Sequence, residues 1–157
     1  MDKKIVISSD PAGFELKENI KEYLQEKGYE VTDVGTTDLE KPVYYYEAAE
    51  NISREVQKGN FQRGIVVCGT GMGVAQVCNK FKGIFCALVE SEYAARKCRI
   101  VNNSNILALG GFILTPTVAR EIVDIFLNTE WCQGEPPHRV EFLKGLRAQC
   151  DGFGQEL

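Results

Sequence analysis

The 157-residue chain is long enough for one domain whose core needs no staple, and 44% hydrophobic with 25% charged residues excludes a disordered or membrane-embedded protein. A net charge of −4 with interspersed signs, and no Lys/Arg block among aromatics, argues against nucleic acid as a partner. The opening MDKKIVISSD sets charges before an apolar run too short for a signal peptide or a spanning helix, so a cytoplasmic protein without membrane attachment is expected.

In chain order, Lys4–Ser9 is a short β-branched run that reads as a buried strand. A helix follows from about Phe14 to Lys27, with Leu16, Ile20, Tyr23 and Leu24 on one face and Gly28 to stop it. Tyr29–Val34 is a second strand ended by Gly35, and Tyr45, Ala48, Ala49, Ile52 and Val56 make the next helical stripe. Gly64–Cys68 is the most hydrophobic strand, and the GTGMG after it leads into a helix through Phe81. Ile84–Val89 and Ile106–Leu109 are two further strands, with helices at Glu92–Arg99 and Thr117–Leu127. After a loop at Trp131–Pro137, a last amphipathic helix runs from about Arg139 to Cys150, with Leu143, Leu146 and Cys150 as its apolar positions. Periodicity leaves open whether it packs on its own domain or reaches a neighbouring subunit.

Apolar strands alternating with helices predict an α/β fold: a doubly wound, Rossmann-like three-layer sandwich. Its parallel sheet should have about five strands, and one domain should span residues 1–157 with an extra C-terminal helix. The six cysteines, at 68, 78, 86, 98, 132 and 150, show no C-x-x-C spacing, and His138 is the only histidine, so no metal site is expected. Most of these thiols sit in apolar segments and read as small core residues of a reducing compartment.

In open parallel sheets, ligands bind beyond the carboxyl ends of the strands. Four such ends carry polar or flexible residues here: Ser9-Asp10, Gly35-Thr36, the loop after Cys68, and Glu90-Ser91. Gly69, Gly71 and Gly73 let backbone approach a ligand, and the following helix offers unpaired N–H groups to a phosphate or an oxyanion. The pattern is not G-x-G-x-x-G and lacks the lysine of a P-loop, so a dinucleotide or nucleotide fingerprint is not indicated. Cys68, beside a helix N-terminus that favours a thiolate, is as readily a buried structural thiol as a functional one.

Three cysteine chemistries compete. A C-x5-R phosphatase needs arginine where Val74 stands. A phosphocysteine carrier normally places its loop after the first strand, whereas two βα units come before this one. A proton-transferring thiol beside an anion hole suits enediolate chemistry. Asp10 reads either as a helix cap or as a site residue, and Asn102 and Asn103 as turn residues or as substrate contacts. The Tyr44-Tyr45-Tyr46 run reads as a helix start whose rings wall a pocket.

The segments KKIVISSDPAGFELK, VTDVGT, GIVVCGTGMGVAQVCNKFKGI, NNSNILALGG and HRV resemble the type B ribose-5-phosphate isomerases and their galactose-6-phosphate isomerase relatives, over essentially residues 3–150. The resemblance implies a metal-free, cofactor-free aldose–ketose isomerase of small sugar phosphates. It also implies a homodimer or dimer of dimers with a site shared between subunits and the segment 131–157 at the interface. By the same resemblance Cys68 is the base, and Thr70 with the amides of Gly69, Gly71, Met72 and Gly73 forms the anion hole. Asp10, Tyr45, Asn102 and Asn103 contact substrate, and Arg139 binds its phosphate. A branch that uses glutamate as the base is excluded by Val74.

Pro11 and Val101 stand where ribose-5-phosphate isomerases carry histidines that open the sugar ring and contact substrate. Phe112 and Glu135 replace phosphate-holding arginines. At these positions the chain resembles the erythrulose-4-phosphate isomerase branch most, which implies an open-chain tetrose or tetrulose phosphate as substrate. Ribose 5-phosphate is the alternative. A non-catalytic subunit of a heteromeric isomerase is the alternative of another class.

Overall fold

The computed structural model describes residues 3–153. Eleven elements follow one another as β1 (Lys4–Ser9), α1 (Phe14–Glu26), β2 (Glu30–Asp33), α2 (Tyr45–Gln57), β3 (Gly64–Cys68), α3 (Met72–Cys78), β4 (Cys86–Leu88), α4 (Glu92–Ile100), β5 (Ile106–Gly110), α5 (Pro116–Asn128) and α6 (Pro137–Gly152). The five strands pair in parallel in the order β2-β1-β3-β5-β4. Two crossovers, through α1 and α4, step toward the β2 edge, and those through α2 and α3 step toward the β4 edge. Right-handed connections must therefore place the two pairs on opposite faces of the sheet.

The two cores follow that division. Ile5, Ile7, Ile65, Val67, Leu107 and Leu109 face α1, α4 and α5 through Leu16, Ile20, Ala95, Ile122 and Phe126. The alternate strand residues Val6, Val66, Ile106 and Ala108 face Ala49 and Ile52 of α2 and Val74, Ala75 and Cys78 of α3. Each central strand is apolar on both faces, as a sheet covered on both sides requires. The expected doubly wound sandwich, with its extra C-terminal helix, is the observed architecture. No helix among the described residues is long and apolar enough to cross a membrane.

Three elements differ from the sequence reading. α3 stops at Cys78 instead of running to Phe81, because the Asn79 side chain turns back to bond both the N–H (2.8 Å) and the carbonyl (2.9 Å) of Cys86. β4 keeps only three residues for the same reason. α6 begins at Pro137, since proline at a first helical position loses no intrahelical bond. It buries Leu143 alone, while Leu146 and Cys150 are exposed.

Two features hold the carboxyl end of the sheet. The fully buried Lys17 ammonium of α1 donates to the Asp33 carboxylate and the Thr36 carbonyl, with Glu18 at 2.8 Å, and so ties α1 to the end of β2. Gly13 packs its backbone against β3, where a Cβ would stand 2.5 Å from both Val67 C and O and 2.9 Å from Cys68 N. Gly13→Ala should therefore lower unfolding free energy by about 1–3 kcal/mol through overpacking. Gly145→Ala, in an open stretch of α6 with nothing within 4 Å, should raise it by about 0.5–1 kcal/mol. Urea melts of the two variants check the opposite signs.

Candidate active site

The carboxyl ends of β1 and β3 lie side by side, and the backbone N–H of Asp10 donates to Val67 O at 3.3 Å. Cys68 closes β3 with its side chain almost wholly buried. Gly71, in the left-handed conformation at φ 77°, turns the chain so that its own N–H donates to Cys68 Sγ at 3.1 Å. Met72 N–H donates to Thr70 Oγ1 at 3.3 Å. The N–H groups of Gly69 and Gly73 have no acceptor among the described residues. Of the expected anion-hole amides, Gly71 is thus spent on the sulfur, and Gly69 and Gly73 are left for a ligand.

Neighbouring elements close around this loop. β5 ends beside Cys68, where Gly111 N–H donates to Cys68 O at 2.8 Å and Phe112 N–H to Gly69 O at 2.9 Å. The Tyr45 ring, at the start of α2, packs on Gly73 so closely that a Cβ there would lie 3.0 Å from it. Phe112 crowds Gly69 similarly, at 2.8 Å, with its ring 75% exposed. Asp10, Tyr45, Cys68, Thr70 and the glycine loop are therefore brought together. Phe112 joins them as a wall that sequence reasoning noted only as a replaced arginine. An exposed aromatic directly after a strand-end Gly-Gly was the available signal.

Asn102, Asn103 and Arg139 are not brought there. Asn102 and Asn103 follow α4 and precede β5, which puts them at the amino edge of the sheet, with the length of β5, about 13 Å, between them and Cys68. Asn103 occupies the left-handed region at φ 50° and its Oδ1 accepts from Arg99 at 3.0 Å, the behaviour of a turn residue. α6 lies along that same edge. Its Arg147 donates to the carbonyls of Asn102 (2.8 Å) and Asn103 (3.2 Å) and stacks 3.5 Å over the Phe85 ring. Arg139, in the first turn of α6, rests over Phe142 at 5.2 Å. His138 is exposed beside it.

Asp10 does cap locally, since its Oδ1 accepts from Gly13 N–H at 2.9 Å. Burial pushes its carboxyl above the usual range, against the pull of the Gly13 and Ala12 amides. With the folded-state value raised, the unfolded chain ionises first. The carboxyl's contribution to stability is therefore intact in acid and is lost as pH rises through the folded-state value. Asp10→Asn keeps an acceptor for Gly13 and removes the titration. It should match the parent in urea melts near about pH 3, below the ordinary carboxylate pKa, and exceed it at neutral pH. The reverse order at neutral pH would show that the charged carboxylate stabilises the fold.

Residues 5–143 match the model of the Ribose/Galactose Isomerase family. The chain is 48% identical over 154 residues, 98% of its length and 97% of the relative's, to a 4-deoxy-4-sulfo-D-erythrose isomerase of Clostridium sp. (strain MSTE9). It is 36% identical over 137 residues, 87% of its length and 90% of the relative's, to a D-erythrulose-4-phosphate isomerase of Pectobacterium atrosepticum. Among solved structures, a ribose 5-phosphate isomerase of Thermotoga maritima superposes with a TM-score of 0.80 at 39% identity, covering 90% of this chain and 97% of that one. A parallel sheet with a cysteine and a glycine loop at its carboxyl edge, and these likenesses along nearly the whole chain, place it in the ribose/galactose isomerase family, as an enzyme that isomerises sugars by intramolecular oxidation and reduction.

Proposed function

We propose that this enzyme interconverts an open-chain tetrose and its tetrulose, each carrying a tetrahedral anion on C4, with a sulfonate the first choice and a phosphate the second. The observation that carries the reading is the junction at Cys68. A thiol, two unspent amides and a carboxyl meet there, while the residue after Asp10 is Pro11, which has no side-chain proton to give or take. A C4 sulfonate or phosphate leaves no free C4 hydroxyl, so the substrate forms no furanose and needs no ring opening. With no cation among Asp10, Tyr45, Thr70 and Phe112 at Cys68, Arg139 is the one cation this reading gives the C4 anion, which suits a monoanionic sulfonate better than a dianionic phosphate. The sulfo-erythrose isomerase relative supports the same choice.

In the reaction, the Cys68 thiolate takes the proton from C2 of the aldose. The C2–H electrons form the C1=C2 bond, and negative charge moves to the carbonyl oxygen at C1. The Gly69 and Gly73 amides and the Thr70 hydroxyl hold that oxyanion. After the hydroxyl proton moves from O2 to O1, Cys68 returns its proton to C1 and the ketose forms at C2. Asp10 hydrogen-bonds a substrate hydroxyl, and Tyr45 and Phe112 exclude water. Asn102, Asn103 and Arg139 reach this centre from a second copy of the chain, since one chain keeps them at the opposite sheet edge. Arg139 then meets the C4 anion, and the functional unit is at least a homodimer.

Two measurements test the reading. Side-by-side kinetics should give the C4-sulfonated tetrose a kcat/KM at least about tenfold above erythrose 4-phosphate, and ribose 5-phosphate should come last. Ribose 5-phosphate turned over as well as either tetrose would remove the open-chain argument. For the shared site, Cys68→Ala and Arg139→Ala should each be inactive alone while remaining folded. Mixed and reassembled, they should recover roughly a quarter of parental activity, because half of the dimers then hold one intact site. No recovery would place Arg139 outside the partner's site.

A further inference from the structure

We propose that Phe112 is a specificity-determining residue that limits the substrate to a four-carbon chain, by walling the Cys68 loop off from a small hydroxyl-accepting cavity. The inference rests on the reading above, in which the reacting carbons lie at Cys68 and the Gly69 amide. Phe112 stands two residues past the end of β5. Its N–H donates to Gly69 O at 2.9 Å and the N–H of Gly111 donates to Cys68 O at 2.8 Å, so its backbone is pinned to the loop itself. The ring lies directly on Gly69, where a Cβ would stand 2.8 Å from Cε2 and 2.9 Å from Cδ2. A chain held by the Gly69 amide therefore meets an aromatic wall on that side.

The same ring borders a cavity of about 220 Å³, enclosed by Ala12, Glu15, Asn19, Phe112, Leu114 and Pro116 between the starts of α1 and α5. Ala12 also borders Gly69, with its Cβ 3.5 Å from the position where a glycine Cβ would stand. Site and cavity thus share one wall, and Phe112 is most of it. The volume falls short of the roughly 300 Å³ at which self-sufficient ligand pockets begin, as befits an annexe of the site. The ring is 75% exposed, so it is placed by its contact with Gly69 and removing it opens no hole in the core.

The lining decides what the annexe would take. Glu15 is the one charged residue among the described ones that line it. The Arg120 guanidinium is engaged, its Nε donating to Asn19 Oδ1 at 2.9 Å, and that bond leaves the Asn19 NH2 as a donor. Hydroxyls can donate to Glu15 and accept from Asn19, whereas a sulfonate or phosphate is repelled. A tetrose whose C4 bears the anion has no further hydroxylated carbon to place there. A longer, uncharged aldose chain has, and Phe112 denies it the space.

Calorimetric titration of the intact protein with the four- and five-carbon aldonohydroxamates tests this limit. Both are neutral, stay open-chain, and present two adjacent oxygens as an enediolate does. The parent should bind the four-carbon compound at least about tenfold more tightly than the five-carbon one. In Phe112→Ala the five-carbon compound should gain at least about tenfold on the four-carbon one, and Phe112→Tyr should keep the parental order. Adding Glu15→Leu to Phe112→Ala should abolish the gain. Titration needs no turnover, so failure of the assigned substrate, read from the kinetics above, is distinguishable from failure of the length limit. Equal binding of both compounds by the parent, or no binding of either to any variant, overturns the limit. An unchanged order in Phe112→Ala overturns the role of Phe112, and a gain that survives Glu15→Leu overturns the cavity as the place of the extra carbon.

Discussion

The structure depends on one crowded junction where the ends of β1, β3 and β5 meet backbone to backbone. Gly13 lies against Val67 and Cys68, Gly35 would put a Cβ 2.2 Å from Ser9 N, and Gly110 would put one 2.9 Å from the Thr70 carbonyl carbon. Side chains at any of these points would force the strand ends apart. With glycine there, the peptide groups bond across the gaps: Thr36 N–H to Ser9 O, Asp10 N–H to Val67 O, Gly111 N–H to Cys68 O and Phe112 N–H to Gly69 O. The start of the loop after Cys68 is therefore tied to the end of β5, and the loop is folded on itself by the Gly71 and Met72 amides. Such fixing is what a site needs if its amides are to meet a developing charge without reorganising.

The two edges of the sheet solve different electrostatic problems. At the carboxyl edge the buried cation is Lys17, consumed by Asp33, Glu18 and the Thr36 carbonyl. At the amino edge Arg63 and Arg99 flank the Phe126 ring, at 5.9 and 5.7 Å. Both meet the carbonyl end of α5: Arg63 donates to Phe126 O (2.8 Å) and Leu127 O, and Arg99 to Thr129 O (3.2 Å). Cations suit the negative end of a helix, and burial, helped by Arg63, lowers Arg99 to about 10. These buried cations all serve the fold. Arg139, over the Phe142 ring in the first turn of α6, is outside this set, so the function proposed above gives the substrate's anion to it and to the loop amides.

Much of this was legible in the residues. Gly64–Cys68 is a strand with the expected bounds, because a β-branched run ending in a glycine loop admits little else. The glycine loop and the thiol beside it point to the carboxyl edge as the candidate site, since ligands of open parallel sheets bind beyond that edge. The early end of α3 was not legible, because it depends on the Asn79 side chain finding Cys86 across a turn. The family resemblance implied a site shared between subunits, with the segment 131–157 at the interface, but it did not say that Asn102 and Asn103 would stand with α6 at the far edge from Cys68. Asp10 shows a different limit: it caps a turn while lying beside the end of β3, so the capping reading of an aspartate at a strand end does not exclude the other.

Arg147 adds a last point. By holding the carbonyls of both Asn102 and Asn103, and by stacking on Phe85, it fastens α6 to the turn before β5. Arg139 is on that same helix. Arg147 and the buried Leu143 thus fix α6, and with it Arg139, relative to Asn102 and Asn103. Under the function proposed above, an anion of different length would be met by shifting α6 at these two anchors rather than by replacing Arg139 alone.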